Sequence, residues 1–149
     1  MALLRNKFII SFVALLVLLQ FIQVEKTNPP IDAQKALKTD ETVMSILKKS
    51  CYDCHSNETK WPSYASIAPI SFFVASHVKD ARKAINFSQY NTIEQSIKEA
   101  RLKRAIVTVK NGYMALSSYR YAHDKANLSN EEKEILIRWF EEELKRLKK

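Results

Sequence analysis

A single glycine, Gly112, is the feature that most restricts the fold of this 149-residue chain. Average usage of about 7% would give roughly ten glycines at this length. Phosphate-binding loops of the P-loop and dinucleotide-binding types need several glycines, so both are excluded. Tight hairpin turns also depend on glycine. We therefore predict an all-α protein.

The N-terminal region has the pattern of an export signal or a membrane anchor. Arg5 and Lys7 precede a run without charge over residues 8–24, which is near the lower length limit for crossing a bilayer. No small-x-small cleavage site follows this run, and its absence favours an uncleaved anchor over a cleaved signal. The positive-inside rule places the two cations in the cytoplasm. We predict a signal anchor over residues 1–24, single-pass in the cytoplasmic membrane, with the rest facing the periplasm or the cell exterior.

The remainder divides into a linker and one helical domain. Pro29 and Pro30 stiffen residues 25–39, which we predict to be a tether, and the domain covers residues 40–149. Apolar periodicity and capping signals predict four helices, at 40–49, 69–85, 91–111 and from 130 onward. We expect the first and last of these helices to pack on each other.

The only two cysteines lie in one motif, Cys51-Tyr52-Asp53-Cys54-His55. C-x-x-C-H is the signature for covalent attachment of a c-type haem. Cysteines three positions apart reach the two vinyl groups on one edge of the porphyrin, and the adjacent histidine is aimed at the iron. The motif predicts one covalent haem c with iron bound by His55, and attachment outside the cytoplasm agrees with export.

Three other interpretations of the motif remain open. A thioredoxin-like C-x-x-C site needs a βαβ context, which this chain lacks. A zinc site would need a distant histidine as the fourth ligand beside Cys51, Cys54 and His55. A disulfide across so short a loop would stabilise little.

Met114 is the candidate for the second axial ligand. It follows the helix stop at Gly112, and a thioether suits iron and raises the reduction potential. The alternative is a methionine that fills the core. His77 and His123 are rivals for the same position, which an open site would leave vacant.

Other side chains are candidates for contact with the cofactor. Trp61 and Tyr64 would pack on the porphyrin edge or fill the core, and Arg82 would pair with a haem propionate or lie exposed on its helix. The ring N–H of the motif histidine needs an acceptor. For this we expect the carbonyl of Pro62 or Pro69.

The residues around the motif resemble the bacterial haem-binding domain family, small membrane-anchored relatives of cytochrome c. The likeness covers roughly residues 28–147 and is carried by Asn28-Pro29-Pro30, the stretch from Cys51 to Pro69 (CYDCHSNETKWPSYASIAP), Ile70-Ser71, His77, Arg82, Asn86-Phe87-Ser88, Met114, Leu116, Tyr119, His123, Ala126, Leu128 and Trp139. The resemblance implies a monohaem domain with His55 proximal and Met114 in the place of the usual Met-Pro. Ala115 departs from that pattern, as do Ser63, where an aromatic is frequent, and Ala81, where glycine is frequent.

Charge indicates the kind of partner. The chain carries a net charge of +8, which suits acidic proteins or anionic lipid headgroups. Nucleic acid is not expected, because lysines and arginines are interspersed with acids along the helices. We expect an electron carrier between redox partners at the membrane surface that is not an enzyme and has no catalytic residues. The alternative is a haem-based peroxidase or a gas or redox sensor with an open or labile sixth iron position.

Overall fold

The computed structural model describes residues 2–148, with side chains described from residue 5. Within this range the chain forms seven α-helices and three short 3-10 helices and no strand. The α-helices are α1 (Ala2–Leu19), α2 (Glu41–Ser50), α3 (Tyr52–His55), α4 (Ile70–Ala84), α5 (Gln95–Lys110), α6 (Ser117–Ala122) and α7 (Asn130–Leu147); the 3-10 helices are Ser63–Ser66, Phe87–Thr92 and Asp124–Ala126. The prediction of an all-α protein is confirmed.

Helices with strong capping signals begin where the sequence predicts. The Asp40 carboxylate accepts the Val43 N–H at 2.9 Å and caps α2. At α7, Ser129 Oγ accepts the Glu132 N–H at 3.1 Å, and the Glu132 carboxylate accepts the Ser129 N–H at 2.8 Å. This reciprocal capping box confirms the predicted start.

The predicted start of α5 at residues 91–92 is wrong. The Asn86 side chain accepts the Ser88 N–H at 3.0 Å and starts a 3-10 helix that occupies residues 87–92. The α-helix begins after it, where the Glu94 carboxylate accepts the N–H groups of Ser96 and Ile97 at 2.9 and 3.2 Å. Capping by Asn86 and then by Glu94 therefore moves the start of the α-helix to Gln95.

Gly112 has the predicted left-handed conformation, with φ +70° just beyond α5. No atom lies within 4 Å of where a Cβ would stand. The backbone angle, and not lack of space, is therefore what favours glycine at this position.

The core lies where α5 and α2 pack on α7. Three leucines, Leu47, Leu102 and Leu136, are fully buried in it, together with Trp139 and Phe140. The contact between α2 and α7 confirms the packing expected for the first and last predicted helices.

The segment between α1 and α2, which includes the predicted tether over residues 25–39, lies against the domain. The Gln20 side chain accepts the Ala68 N–H at 3.1 Å and donates to the Ala68 carbonyl at 3.0 Å. Further along, Leu37 is buried, and its N–H donates to the Phe87 carbonyl at 2.8 Å. Residues 20–37 are therefore bonded to the domain at both ends, at Ala68 and at Phe87.

Part of the predicted anchor, Met1 and the side chains of residues 2–4, lies outside the described residues. Over the rest of the chain, no helix combines the length and the apolar character needed to cross a membrane.

Candidate cofactor cavity

A cavity of about 430 Å³ lies beside the cysteine motif, within the size range of cofactor sites. Its walls come from α3, α4, α5 and the loop after α5, and most of the lining is apolar: Ala81, Ala84, Ile85, Phe87, Ala105, Val109, Ala115, Leu116 and Phe140. Cys51, Cys54, His55 and Met114 all line it. The structure thus brings together four residues that lie up to 63 positions apart in the sequence.

His55 is oriented by the end of α4. Ile85 leaves the helix with extended backbone angles, φ −156° and ψ 129°, so its carbonyl is not used within α4. His55 Nδ1 lies 3.0 Å from this oxygen. The expectation of a Pro62 or Pro69 carbonyl as acceptor is wrong. With Nδ1 as the donor, Nε2 carries the lone pair that a metal ligand needs.

The surroundings keep these groups uncharged. Desolvation lowers the pKa of His55. Desolvation raises the pKa of Cys51 to about 12 and that of Cys54 to about 11. Both side chains are therefore neutral thiols at physiological pH, and neither forms a disulfide.

A stacked pair of rings fixes the turn that carries the motif. Tyr52 is buried, and its ring stacks on Phe87 with centroids 5.5 Å apart. Ser56 Oγ donates to the Tyr52 carbonyl at 2.7 Å and closes the turn from its other end.

Three predicted contact residues do not line the cavity: Trp61, Tyr64 and Arg82. Tyr64 Oη instead lies 2.7 Å from His123 Nε2, so these two polar atoms pair with each other. His123 does not line the cavity either.

Arg82 holds two chain segments together. Its guanidinium donates to the carbonyls of Ser56 and Thr27 at 2.8 and 2.9 Å. It also donates to Asn28 Oδ1 and Thr59 Oγ1, both at 2.9 Å. These four bonds fasten the segment before α2 to the loop that follows the motif.

Comparison with family models gives one match, to a haem-binding domain, over residues 14–142. The chain belongs to this haem-binding domain family. Separate comparisons with curated proteins and with solved structures found no significant match.

The cavity of this haem-binding domain fits its cofactor. An imidazole and a thioether are ligands that haem iron takes in proteins, both line the cavity, and the apolar walls suit a porphyrin. Ser50 Oγ also lines the cavity, only 7% of this residue is exposed, and the oxygen has no partner among the described residues. A buried polar atom without a partner indicates a bound group or water.

The zinc alternative finds no support in this domain. Over the described residues, no three or more His, Cys, Asp and Glu side chains are grouped to hold a metal ion.

Sequence reasoning missed two arginines of this haem-binding domain. Arg101 and Arg104 line the cavity on one face of α5, followed on that face by Ala105, Thr108 and Val109. This spacing of three and four residues could have identified the face from the sequence. Neither arginine forms a salt bridge with any described residue.

Proposed function

We propose that this haem-binding domain is a c-type cytochrome that carries single electrons between redox partners. In this proposal Cys51 and Cys54 bind one haem covalently, and His55 and Met114 ligate its iron. The observation that carries the proposal is the convergence of these four side chains on one cavity, with His55 Nδ1 already bonded to the Ile85 carbonyl.

The haem iron, when bound, supplies a one-electron Fe(III)/Fe(II) couple. The protein's part is to hold and tune that iron. The bond to the Ile85 carbonyl fixes the ring of His55 and makes Nε2 more basic. The apolar walls keep water away from the site, and solvent exposure is one of the factors that set a haem potential.

Arg101 and Arg104 are the residues proposed to bind the haem propionates. They line the cavity from α5, whereas the cysteines line it from the α3 side. Propionates stand on the porphyrin edge away from the vinyl groups, so their partners belong on a different wall from the thiols. Arg82, the partner expected from the sequence, is engaged elsewhere.

An acidic redox partner and a membrane location complete the proposal. The net charge of +8 supports an acidic protein partner. Side chains along α1, among them Phe8, Ile10 and Leu18, are apolar and mostly exposed, which supports burial of this segment in lipid or in another protein. We propose that it anchors the domain on the periplasmic or outer face of the cytoplasmic membrane.

An absorption spectrum tests the proposal. The full chain is exported from a host with haem c attachment machinery, and spectra are recorded oxidised and reduced. We expect haem that stays with the chain on a denaturing gel, and a sulfur-to-iron band near the red end in the oxidised form. The Cys51→Ala/Cys54→Ala variant should lose the gel-stable haem. Absence of haem from the wild-type chain, with that machinery working, would overturn the proposal.

One observation favours a second candidate, a peroxidase or sensor with an open sixth position. His77 lines the cavity, and its Nδ1 lies 2.8 Å from the Phe73 carbonyl oxygen. Its Nε2 is therefore left to interact with a molecule bound in the cavity. Millimolar cyanide or carbon monoxide distinguishes the two functions. A closed site with a bound methionine resists both probes, and an open site binds them.

A further inference from the structure

The segment that carries Met114 is only partly buried. We define the Met114 segment as residues 113–123, which include α6. Met114, Ala115, Leu116 and Tyr119 of this segment line the cavity, yet no residue of α6 is classed as buried. Apolar packing alone therefore holds the segment weakly.

Tyr119 connects this segment directly to the cysteine motif. Its hydroxyl donates to Asp53 Oδ2 at 2.6 Å. The other carboxylate oxygen, Oδ1, accepts the Lys60 N–H at 3.1 Å. Both oxygens of Asp53 are thus engaged, which fixes the direction of the bond to Tyr119. Asp53 stands between the two cysteines on α3, the turn that also carries His55.

A second bond supports the first. Tyr64 Oη pairs with His123 Nε2 at 2.7 Å, and the His123 ring stacks on Tyr119 with centroids 4.4 Å apart and 19° between planes. Within residues 2–148, these are the two side-chain hydrogen bonds that link the Met114 segment to the rest of the chain.

We propose that Asp53 and Tyr119 are positioning residues that hold Met114 at the iron. The proposal rests on the proposed function, in which Met114 is the second axial ligand. The hydrogen bond ties the turn that carries His55 to the segment that carries Met114. Without it, the segment opens more often and the thioether leaves the iron, while the covalent bonds to the cysteines retain the haem.

The Tyr119→Phe variant tests this role, because it removes only the hydroxyl. Tyr121→Phe is the matched control, since Tyr121 lies on the same helix and is 92% exposed. We expect Tyr119→Phe to keep its haem, to lose most of the sulfur-to-iron band and to bind potassium cyanide about tenfold faster, as loss of a hydrogen bond to a charged group allows. Tyr121→Phe should match the wild type in all three measurements.

The Asp53→Ala variant and the double variant show whether the two residues act together. Asp53→Ala also removes the acceptor of the Lys60 N–H, so its own effect can be larger. If the hydrogen bond is the cause, adding Tyr119→Phe to Asp53→Ala changes the cyanide rate no further. Amide hydrogen exchange over residues 115–122 gives a readout independent of the iron, and it should accelerate in Tyr119→Phe and not in Tyr121→Phe.

The outcomes separate this proposal from the proposed function. A Tyr119→Phe protein with the full band and the wild-type cyanide rate overturns the positioning role and leaves the cytochrome proposal intact. A wild-type protein that contains haem but lacks the band overturns Met114 ligation, and the positioning role with it.

Discussion

The two sides of the cavity differ in how firmly the fold holds them. The histidine side, which we define as residues 51–59, contains the fully buried Ser56 and the buried Asn57. Its loop is held by two bonds from Arg82, to the Ser56 carbonyl and to Thr59 Oγ1, by the Asn57 N–H, which donates to Ser88 Oγ at 3.0 Å, and by Asn86 Nδ2, which donates to Asn57 Oδ1 at 2.9 Å. No residue in the helix of the Met114 segment is classed as buried, and two side-chain hydrogen bonds link the segment to the rest of the described chain.

This difference assigns different roles to the two sides. A ligand set in a buried polar network keeps one position, because opening the network would leave buried groups without partners. A ligand on a lightly held segment is displaced at lower cost. In the proposed cytochrome, exchange of an iron ligand therefore belongs to the Met114 segment, and retention of the cofactor belongs to the histidine side.

Removal of the ligand on the histidine side should have the largest effect. In His55→Ala, haem content after export should fall at least about tenfold, the size of loss seen even when only an outer partner of a metal ligand is removed. His77→Ala is the comparison, because His77 also lines the cavity but lies on α4. Equal losses in the two variants, measured by haem absorbance per chain, would contradict the roles assigned here.

Arg82→Met should produce the next largest effect, on stability. It leaves the carbonyl of the fully buried Ser56 without its donor, so we expect the free energy of unfolding to fall by about 2–3 kcal/mol. Lys83→Met is the matched control, since Lys83 forms only an exposed ion pair with Asp80 and should change stability by less than about 1 kcal/mol. Denaturant unfolding of both variants measures the difference, and similar losses would show that the network does not hold the histidine side.

Met114→Leu should change the site without unfolding it. Leucine conserves the volume of methionine but cannot ligate iron, so cyanide should bind about tenfold more tightly, a difference of about 1.4 kcal/mol. Met44→Leu is the control, because Met44 packs against the core and does not line the cavity. Titration with cyanide checks this, and an unchanged affinity in Met114→Leu would remove the methionine from the iron site.

Local signals account for most of what the sequence predicts correctly. The capping box at Ser129 and the left-handed Gly112 depend on neighbours within a few residues, and C-x-x-C-H is itself a local pattern. Apart from the start of α5, which local caps at Asn86 and Glu94 set, the failures at the site involve long-range contacts. The acceptor for His55 lies 30 positions away at Ile85, and its carbonyl is available only because α4 ends there.

The role of Arg82 could not be predicted for the same reason. Its acceptors come from segments 23 to 55 positions away, and no local spacing indicates them. The prediction that Arg82 pairs with a haem propionate rested only on the charge of its side chain. By contrast, the cavity face of α5 follows the helical period, so Arg101 and Arg104 could have been found from the sequence.

The smallest effect should come from a contact outside both sides of the cavity. Glu132 pairs with Lys49 and accepts the Ser129 N–H, and these interactions, with Lys49 first, lower the pKa of Glu132 in the folded protein. Because the folded pKa lies below the unfolded one, this stabilisation is present above the unfolded pKa and is lost as the pH falls through the folded pKa.

Glu132→Gln should therefore lower stability by about 0.5–1 kcal/mol at pH 7. Thermal melts across pH should show the two proteins converging in acid, and the sulfur-to-iron band should be the same in both. A change in that band would show that the α2–α7 contact reaches the proposed iron site, contrary to the purely structural effect expected here.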